Sequence, residues 1–371
     1  MTRRNPAVLT LALSLIAVLL VGPAAADDVD VSRVITIGPK LKMTSPEGWN
    51  RKTPRVRIIT HEFAIPAVEG DSADGRMTVM AAGGTVDANI QRWFGQFIQP
   101  DANLPTAAGW RKQIALGQRY FMDRFGVRPR VAYNVDTFGH PATLPDLLAE
   151  MGYHGYIFHR PNENQVHLPA QTFRWKGSGG AEITGFRIAA AYVTRSDELH
   201  GQLDLSIQAA NPELGHTMMF YGLGNHGGGP TKATIEWLRD HLHAIDGVEL
   251  RFSTVDEFYA AVQPKRDLLP LVETELQKTF PGCYSVMHDV KQVQHRGERL
   301  LEQAEELARS FPVSEKQTNM SLERIDTAWR DLAFTQVHDI LAGTSIPSSY
   351  VSTRHMQGRA AIMGEEEIVR I

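Results

Sequence analysis

In "VAYNV" the residues Val131, Tyr133 and Val135 point one way and their neighbours the other, so 131–135 reads as a strand. The period then lengthens. Leu144–Met151 reads as a helix with Pro145 in its first turn and Gly152 as its stop. Asp136 therefore falls on the loop between strand and helix. Further strands are predicted at "PRVRIIT" (54–60), with His61 and Glu62 after it, at "YIF" (156–158) and at "TMMFYGLG" (217–224). A helix from about Gly109 to Phe125 would bury Ile114, Leu116, Tyr120 and Phe121. Another begins at the N-cap Thr231, carries Ile235, Leu238, Leu242 and Ile245, and stops before Gly247. Residues 66–88 show no clear period. Strand, loop and helix alternate over about 54–262, which predicts an α/β layer with a largely parallel sheet.

Beyond Pro264 the strand signals vanish. Val290, Val293, Leu300, Ala304, Leu307 and Phe311 recur at helical spacing, as do Ile325, Trp329 and Leu332 after Ser321 as N-cap. "DLLPLVETELQ" would supply a third helix, so 265–371 reads as a small helical bundle.

The 371 residues allow about two domains, and 43% hydrophobic with 22% charged residues is ordinary globular composition. A formal net charge of −4 gives no reason to expect nucleic acid or an anionic membrane as partner. Cys283 is the only cysteine, which excludes an internal disulfide and a cysteine-based metal cluster. The start changes the picture more. Arg3 and Arg4 precede an apolar run, Ala7 to Gly22, and the small residues Ala24, Ala25 and Ala26 follow Pro23. This is the pattern of a secretory signal peptide cut after Ala26, in an exported protein with no membrane segment once it is removed.

The candidate chemistry lies on loops. In parallel α/β folds the strand ends carry it, which singles out Asp136; the plainer reading is that Asp136 only caps its loop. "GLGNHGGGPT" (222–231) also joins a strand to a helix, and its glycines let the backbone bring His226 near a ligand. It lacks the ending of a phosphate-binding loop. Both loops open on the same side of a parallel sheet. In "TQVHDILAGTS", His338 sits roughly a third of a turn off the apolar stripe. It reads more simply as an ordinary helical histidine, with Asp339 beside it. An imidazole and a carboxylate from distant parts of a chain suit zinc with an open position, and a carboxylate can also attack a sugar. The residues alone point to an exported α/β protein, an enzyme with or without a metal.

Taken in order, "QPDANLP", "VDTFGHPATLPDLLAEMGY", "GNHGGGPT", "FPGCYS" and "VHDILAGTS" resemble the family 38 glycoside hydrolases, the retaining α-mannosidases, over about residues 90–355. The resemblance implies a distorted parallel β/α barrel followed by a three-helix bundle and then β-sandwich domains. The expected division is a signal peptide at 1–26, a catalytic domain at 27–264 and a middle helical domain at 265–371, with the β domains outside the chain as read. It implies an α-mannoside-containing glycan as substrate and one zinc ion. Asp136 would be nucleophile and zinc ligand and His338 a second ligand. Phe138 would line the sugar site, and Asp339, Asn225 and His226 would bind the sugar. Two departures stand out. The family's first strand ends in H-x-D, whereas here the nearest equivalent is His61-Glu62-Phe63. The family's acid is an aspartate near "GNHGGGPT", where neither Asn225 nor His226 is a carboxylate. The rival readings are an inactive remnant that binds sugar and a polysaccharide deacetylase. A deacetylase needs an H-x-x-x-H pair, which neither His154/His159 nor His241/His243 supplies.

Overall fold

The computed structural model describes residues 34–37, 41–54, 59–67, 75–80, 99–194, 199–223, 229–243 and 245–371. The leader-like residues 1–26 and the loop residues Asn225 and His226 lie outside the described residues. The chain forms two compact units, 1–89 and 90–371.

The first unit is antiparallel. Strands β1 (Val34–Ile37) and β2 (Leu41–Thr44) pair with each other. Strands β3 (Asn50–Lys52), β4 (Ile59–Ile65) and β5 (Gly75–Met80) form a second sheet in that order. Phe63 is buried beside Trp49, ring centroids 6.0 Å apart. This corrects the expectation for "PRVRIIT". The alternation of Ile59, His61, Phe63 and Ile65 runs on through the polar residues, so His61 and Glu62 lie within a strand rather than after it. β4 pairs antiparallel on both sides and is not the opening unit of a parallel barrel.

Among the described residues the first helix of the second unit is α1 (Ala107–Phe125), whose Thr106 cap accepts from Gly109 and whose Gly126 turns left-handed at φ 67°. Strand β6 (Val131–Tyr133), helix α2 (Leu144–Glu150) and strands β7 (Gly155–Phe158), β8 (Thr172–Lys176) and β9 (Glu182–Arg187) follow. Then come α3 (His200–Gln208), α4 (Lys232–Asp240), α5 (Val255–Val262), β10 (Leu271–Val272), α6 (His288–Ser310), α7 (Glu315–Thr335) and α8 (Pro347–Arg370).

The sheet order is β10-β8-β9-β7-β6, parallel at every pairing except β8 with β9. Among the described residues it is an open, mostly parallel sheet, not the closed barrel expected. β7 is buried along its whole length because both faces are covered. Tyr156 and Phe158 pack with Trp175, Leu144, Leu148 and Ile114 on one side, and Ile157 packs with Phe186, Phe258 and Tyr259 on the other. A Cβ at Gly155 would meet the Tyr259 ring at 2.5 Å, so this strand and α5 touch only because the residue is glycine.

Other expectations are corrected. "TMMFYGLG" is not a strand in its described part, where Leu223 alone bridges, to Thr194 and Gly229. That apolar run has no alternation to sort its faces. β8 and β9 went unread because Arg174, Lys176 and Glu182 interrupt their apolar character; they close around a turn in which the Asp146 carboxylate accepts from Gly179 and Ala181. α4 ends before Leu242 and Ile245. "DLLPLVETELQ" is no helix, since Pro270 cannot donate within one; the stretch supplies β10. The long helices α6, α7 and α8 pack around Leu301, Ala304, Ile325, Ala328, Trp329, Leu332 and Ala360. Ser321 lies inside α7, which Ser314 caps instead by accepting from Gln317. His338 lies past the end of α7, in a turn rather than on a helix.

Candidate active site

Asp136 lies just past β6, on the loop that also places Thr137, Phe138 and His140. A short segment, 99–102, stitches that loop down. The Asn134 amide donates to the Pro100 carbonyl at 2.9 Å, and the Ala102 N–H donates to Thr137 Oγ1 at 2.9 Å. The same segment runs antiparallel to 336–338. The Asp101 N–H donates to the Gln336 carbonyl at 2.8 Å, and the His338 N–H to the Gln99 carbonyl at 3.2 Å. His338 Nδ1 also lies 2.9 Å from that carbonyl. A carbonyl can only accept, so Nδ1 carries the proton and Nε2 faces the site.

Nε2 of His338 stands 3.4 Å from Asp136 Oδ2, so two residues distant in the sequence converge. Arg160, just past β7, closes the other side. Its Nη1 is 2.7 Å from Asp136 Oδ1, an ion contact without hydrogen-bond alignment, and it also donates to the Asp136 carbonyl at 3.3 Å. Burial acts to raise the Asp136 carboxyl, but the His338 hydrogen bond, the Arg160 charge and a hydrogen bond from Tyr192 outweigh it and hold the carboxyl below its usual value. Burial likewise opposes a charged His338. Hydrogen bonding to Asp136 and the Gln99 carbonyl prevails, and the imidazole is raised. Tyr192 is pushed up to about 12, first by burial and then by the Asp136 charge.

Phe138 is buried, edge-on to Phe280 at 5.3 Å and to His338 at 6.2 Å between centroids. The Arg160 guanidinium sits 5.6 Å from the Phe138 ring and 5.7 Å from the Phe280 ring. Phe280 holds φ at 43°, a left-handed backbone that is strained for an aromatic residue. His140 is fully buried, bonded to Tyr156 Oη at 2.8 Å and to the Arg160 carbonyl at 2.7 Å, and burial lowers its pKa to about 4. It stays neutral and ties the Asp136 loop to Arg160. Asp339 is exposed, and its Oδ1 accepts from Thr344 at 2.9 Å.

The structure thus brings Asp136, Phe138 and His338 together, with Asp339 adjacent in the chain; Asn225 and His226 lie outside the described residues. Sequence reasoning missed Gln99, Arg160 and Tyr192. Arg160 had a signal, since it follows the "YIF" strand at the same end of the sheet as Asp136. Tyr192 lies on irregular backbone and gave none; Gln99 opens the "QPDANLP" motif, which carried the resemblance but assigned the residue no role.

As a metal centre the pair is incomplete. A separation of 3.4 Å suits two neighbouring corners of a tetrahedron with bonds of about 2.0 Å, and a histidine that gives its other N–H to a carbonyl is oriented as metal ligands are. Yet no group of three His, Cys, Asp or Glu able to hold a metal occurs among the described residues. His61, in the first unit, has both ring nitrogens engaged: Nε2 faces the Thr36 carbonyl of β1 at 3.1 Å, and Nδ1 lies 3.0 Å from Arg51 Nη2 of β3.

The model described as the glycosyl hydrolases family 38 N-terminal domain matches residues 87–282, and the alpha mannosidase middle domain model matches 278–368. Alpha-mannosidase G of Dictyostelium discoideum is 30% identical over 266 residues, covering 69% of this chain and 24% of that protein. An alpha-mannosidase of Saccharomyces cerevisiae is 26% identical, covering 69% and 25%. The chain therefore spans about a quarter of the length of these curated relatives. The crystal structure of an alpha-mannosidase from Enterococcus faecalis V583 superposes with a TM-score of 0.59 at 18% identity, covering 73% of this chain and 33% of that one, a likeness of fold.

Proposed function

The chain belongs to glycosyl hydrolase family 38, and from that premise we propose that it carries the nucleophile half of a retaining α-mannosidase site. The substrate class is a glycan with terminal α-mannosides. The observation that carries the reading is the convergence of the Asp136 carboxylate with His338 and Arg160 at the strand ends. A nucleophile must be ionised, and the two cationic or proton-donating neighbours keep Asp136 so.

In the first step an Asp136 oxygen bonds to the anomeric carbon as the bond to the leaving oxygen breaks, which inverts the centre and leaves a glycosyl ester. In the second, water attacks the same carbon as the ester bond breaks, its proton passes to the group that protonated the leaving oxygen, and Asp136 is freed as the carboxylate. Two inversions give net retention. Phe138 and Phe280 offer a wall for the sugar, and Asp339 offers acceptors for its hydroxyls. The leaving oxygen needs a proton; Asn225 and His226 lie on the loop where the family resemblance puts the donor. A zinc ion held by Asp136 and His338 would polarise sugar oxygens when bound. With two donors it is expected to be sub-stoichiometric and easily chelated. The leader-like start would direct the protein to an exported compartment.

The test is turnover of an aryl α-mannoside by the exported chain with added zinc, against Asp136→Asn. The amide neither attacks nor carries charge, so activity should vanish. A variant that keeps more than a tenth of the wild-type rate would remove Asp136 from this role.

A further inference from the structure

We propose that Gln99 is the positioning residue that holds Asp136 and His338 in register, an inference that rests on the site reading above. Gln99 is buried, 6% exposed. Its side-chain oxygen accepts from the Val135 N–H at 3.2 Å and lies 3.4 Å from the Asp136 N–H, which also points to it. Its main-chain carbonyl accepts from His338 twice, from the main-chain N–H and from Nδ1. One residue thus grips the carboxylate loop through its side chain and the imidazole through its backbone.

The physical need is clear. Past Tyr133 the chain leaves β6, and the N–H groups of Val135 and Asp136 have no strand partner. Buried N–H groups without an acceptor let the loop move until they find one. Gln99 supplies that acceptor at a fixed place, because its own backbone is pinned by the ladder of 99–101 with 336–338. Gln99 contacts Asp136 through the backbone only, so it acts through that residue. Misplacement of a reacting group by about 1 Å can cost about a hundredfold in rate.

Gln99→Met keeps the shape and removes the acceptor; Gln99→Glu keeps an acceptor. Hydrogen–deuterium exchange, read on a peptide covering 133–138, reports the Val135 and Asp136 amides without reference to activity. Gln99→Met should speed exchange there at least tenfold while amides of α6 to α8 stay at the wild-type rate. Gln99→Glu should restore protection. With an aryl α-mannoside, Gln99→Met should lower kcat about tenfold to a hundredfold and leave KM within about twofold. Gln99→Glu should recover most of the loss. Wild-type exchange at 133–138 in Gln99→Met overturns the proposal, as does a kcat within twofold of wild type. If Gln99→Met fails to fold, Gln99→Glu decides: loss of protection at 133–138 in that variant overturns it. Absence of any wild-type turnover would remove the α-mannosidase reading, while the exchange result still settles the role of Gln99.

Discussion

The two compact units of the chain each hold a histidine that resembles a metal ligand, and they use it in opposite ways. In unit 90–371, His338 gives its Nδ1 proton to a carbonyl and turns Nε2 to a carboxylate beside an arginine. In unit 1–89, His61 sits within a strand and both its ring nitrogens face residues of other strands, Thr36 of β1 and Arg51 of β3. The family match follows the same division, because it starts at residue 87, three positions before the second unit begins at 90. A ligand-type residue makes a site only where one ring nitrogen faces a functional group and not a partner that holds the fold together.

Metal content and turnover should separate the two histidines most sharply. His338→Ala should remove whatever zinc the chain retains and reduce aryl α-mannoside turnover to background. His61→Ala should leave both at the wild-type level. Elemental analysis after dialysis and a chelator-sensitive assay read the two. A stoichiometric, tightly held zinc that His61→Ala abolishes would overturn this distinction and make His61 a ligand.

Packing gives the next effect. Trp329 is 2% exposed at the centre of the helical core. Trp329→Ala should cost about 3–5 kcal/mol in urea unfolding. Gly155→Val sets a side chain into the Tyr259 ring and should cost about 1–3 kcal/mol by overpacking. Both residues belong to unit 90–371, and exchange at β3 to β5 of the other unit should stay at wild-type rates in both variants.

How far the fold was legible follows from these same residues. The helices of the second unit were readable where an apolar stripe and a cap coincided, as at Thr106 to Gly126 and after Thr231. β7 was readable because both its faces are buried, which makes it apolar throughout. β8 and β9 were not, since charged residues sit on strands whose pairing is set by the Asp146 turn and not by their own pattern. Asp136 and His338 were legible as types and motifs, but their approach was not. That depends on the 99–102 segment, whose hydrogen bonds carry no periodic signal. The front unit misled for the converse reason: "HEF" has the chemistry of a site and the alternation of a strand, and alternation won.

A smaller effect tests His61 by stability alone. His61→Ala removes the donor to the Thr36 carbonyl and the partner of Arg51, a loss of about 1 kcal/mol. Its exchange footprint should lie in β1 to β5 and stop there. A footprint at 133–138 would contradict the separation drawn between the two histidines.

The smallest effect is at Asp326, where α7 meets α1. Its carboxylate receives Arg119 at 2.9 Å and Arg330 at 3.2 Å. Burial would raise this carboxyl, but the Arg119 hydrogen bond and charge, followed by those of Arg330, hold it below its usual value. A carboxyl lower in the folded state than in the unfolded one stabilises the fold above its unfolded pKa. That contribution is lost as pH falls through the folded value. Both arginines are substantially exposed, so the pair is screened and Asp326→Asn should cost only about 0.2–1 kcal/mol at neutral pH and low salt. The difference between wild type and variant should shrink towards zero in about 1 M salt and again below the folded pKa. Urea midpoints at two salt concentrations and along a pH series measure it. A difference that persists undiminished in high salt would mean that Asp326 acts by packing at the seam between the α/β layer and the helices, not by charge.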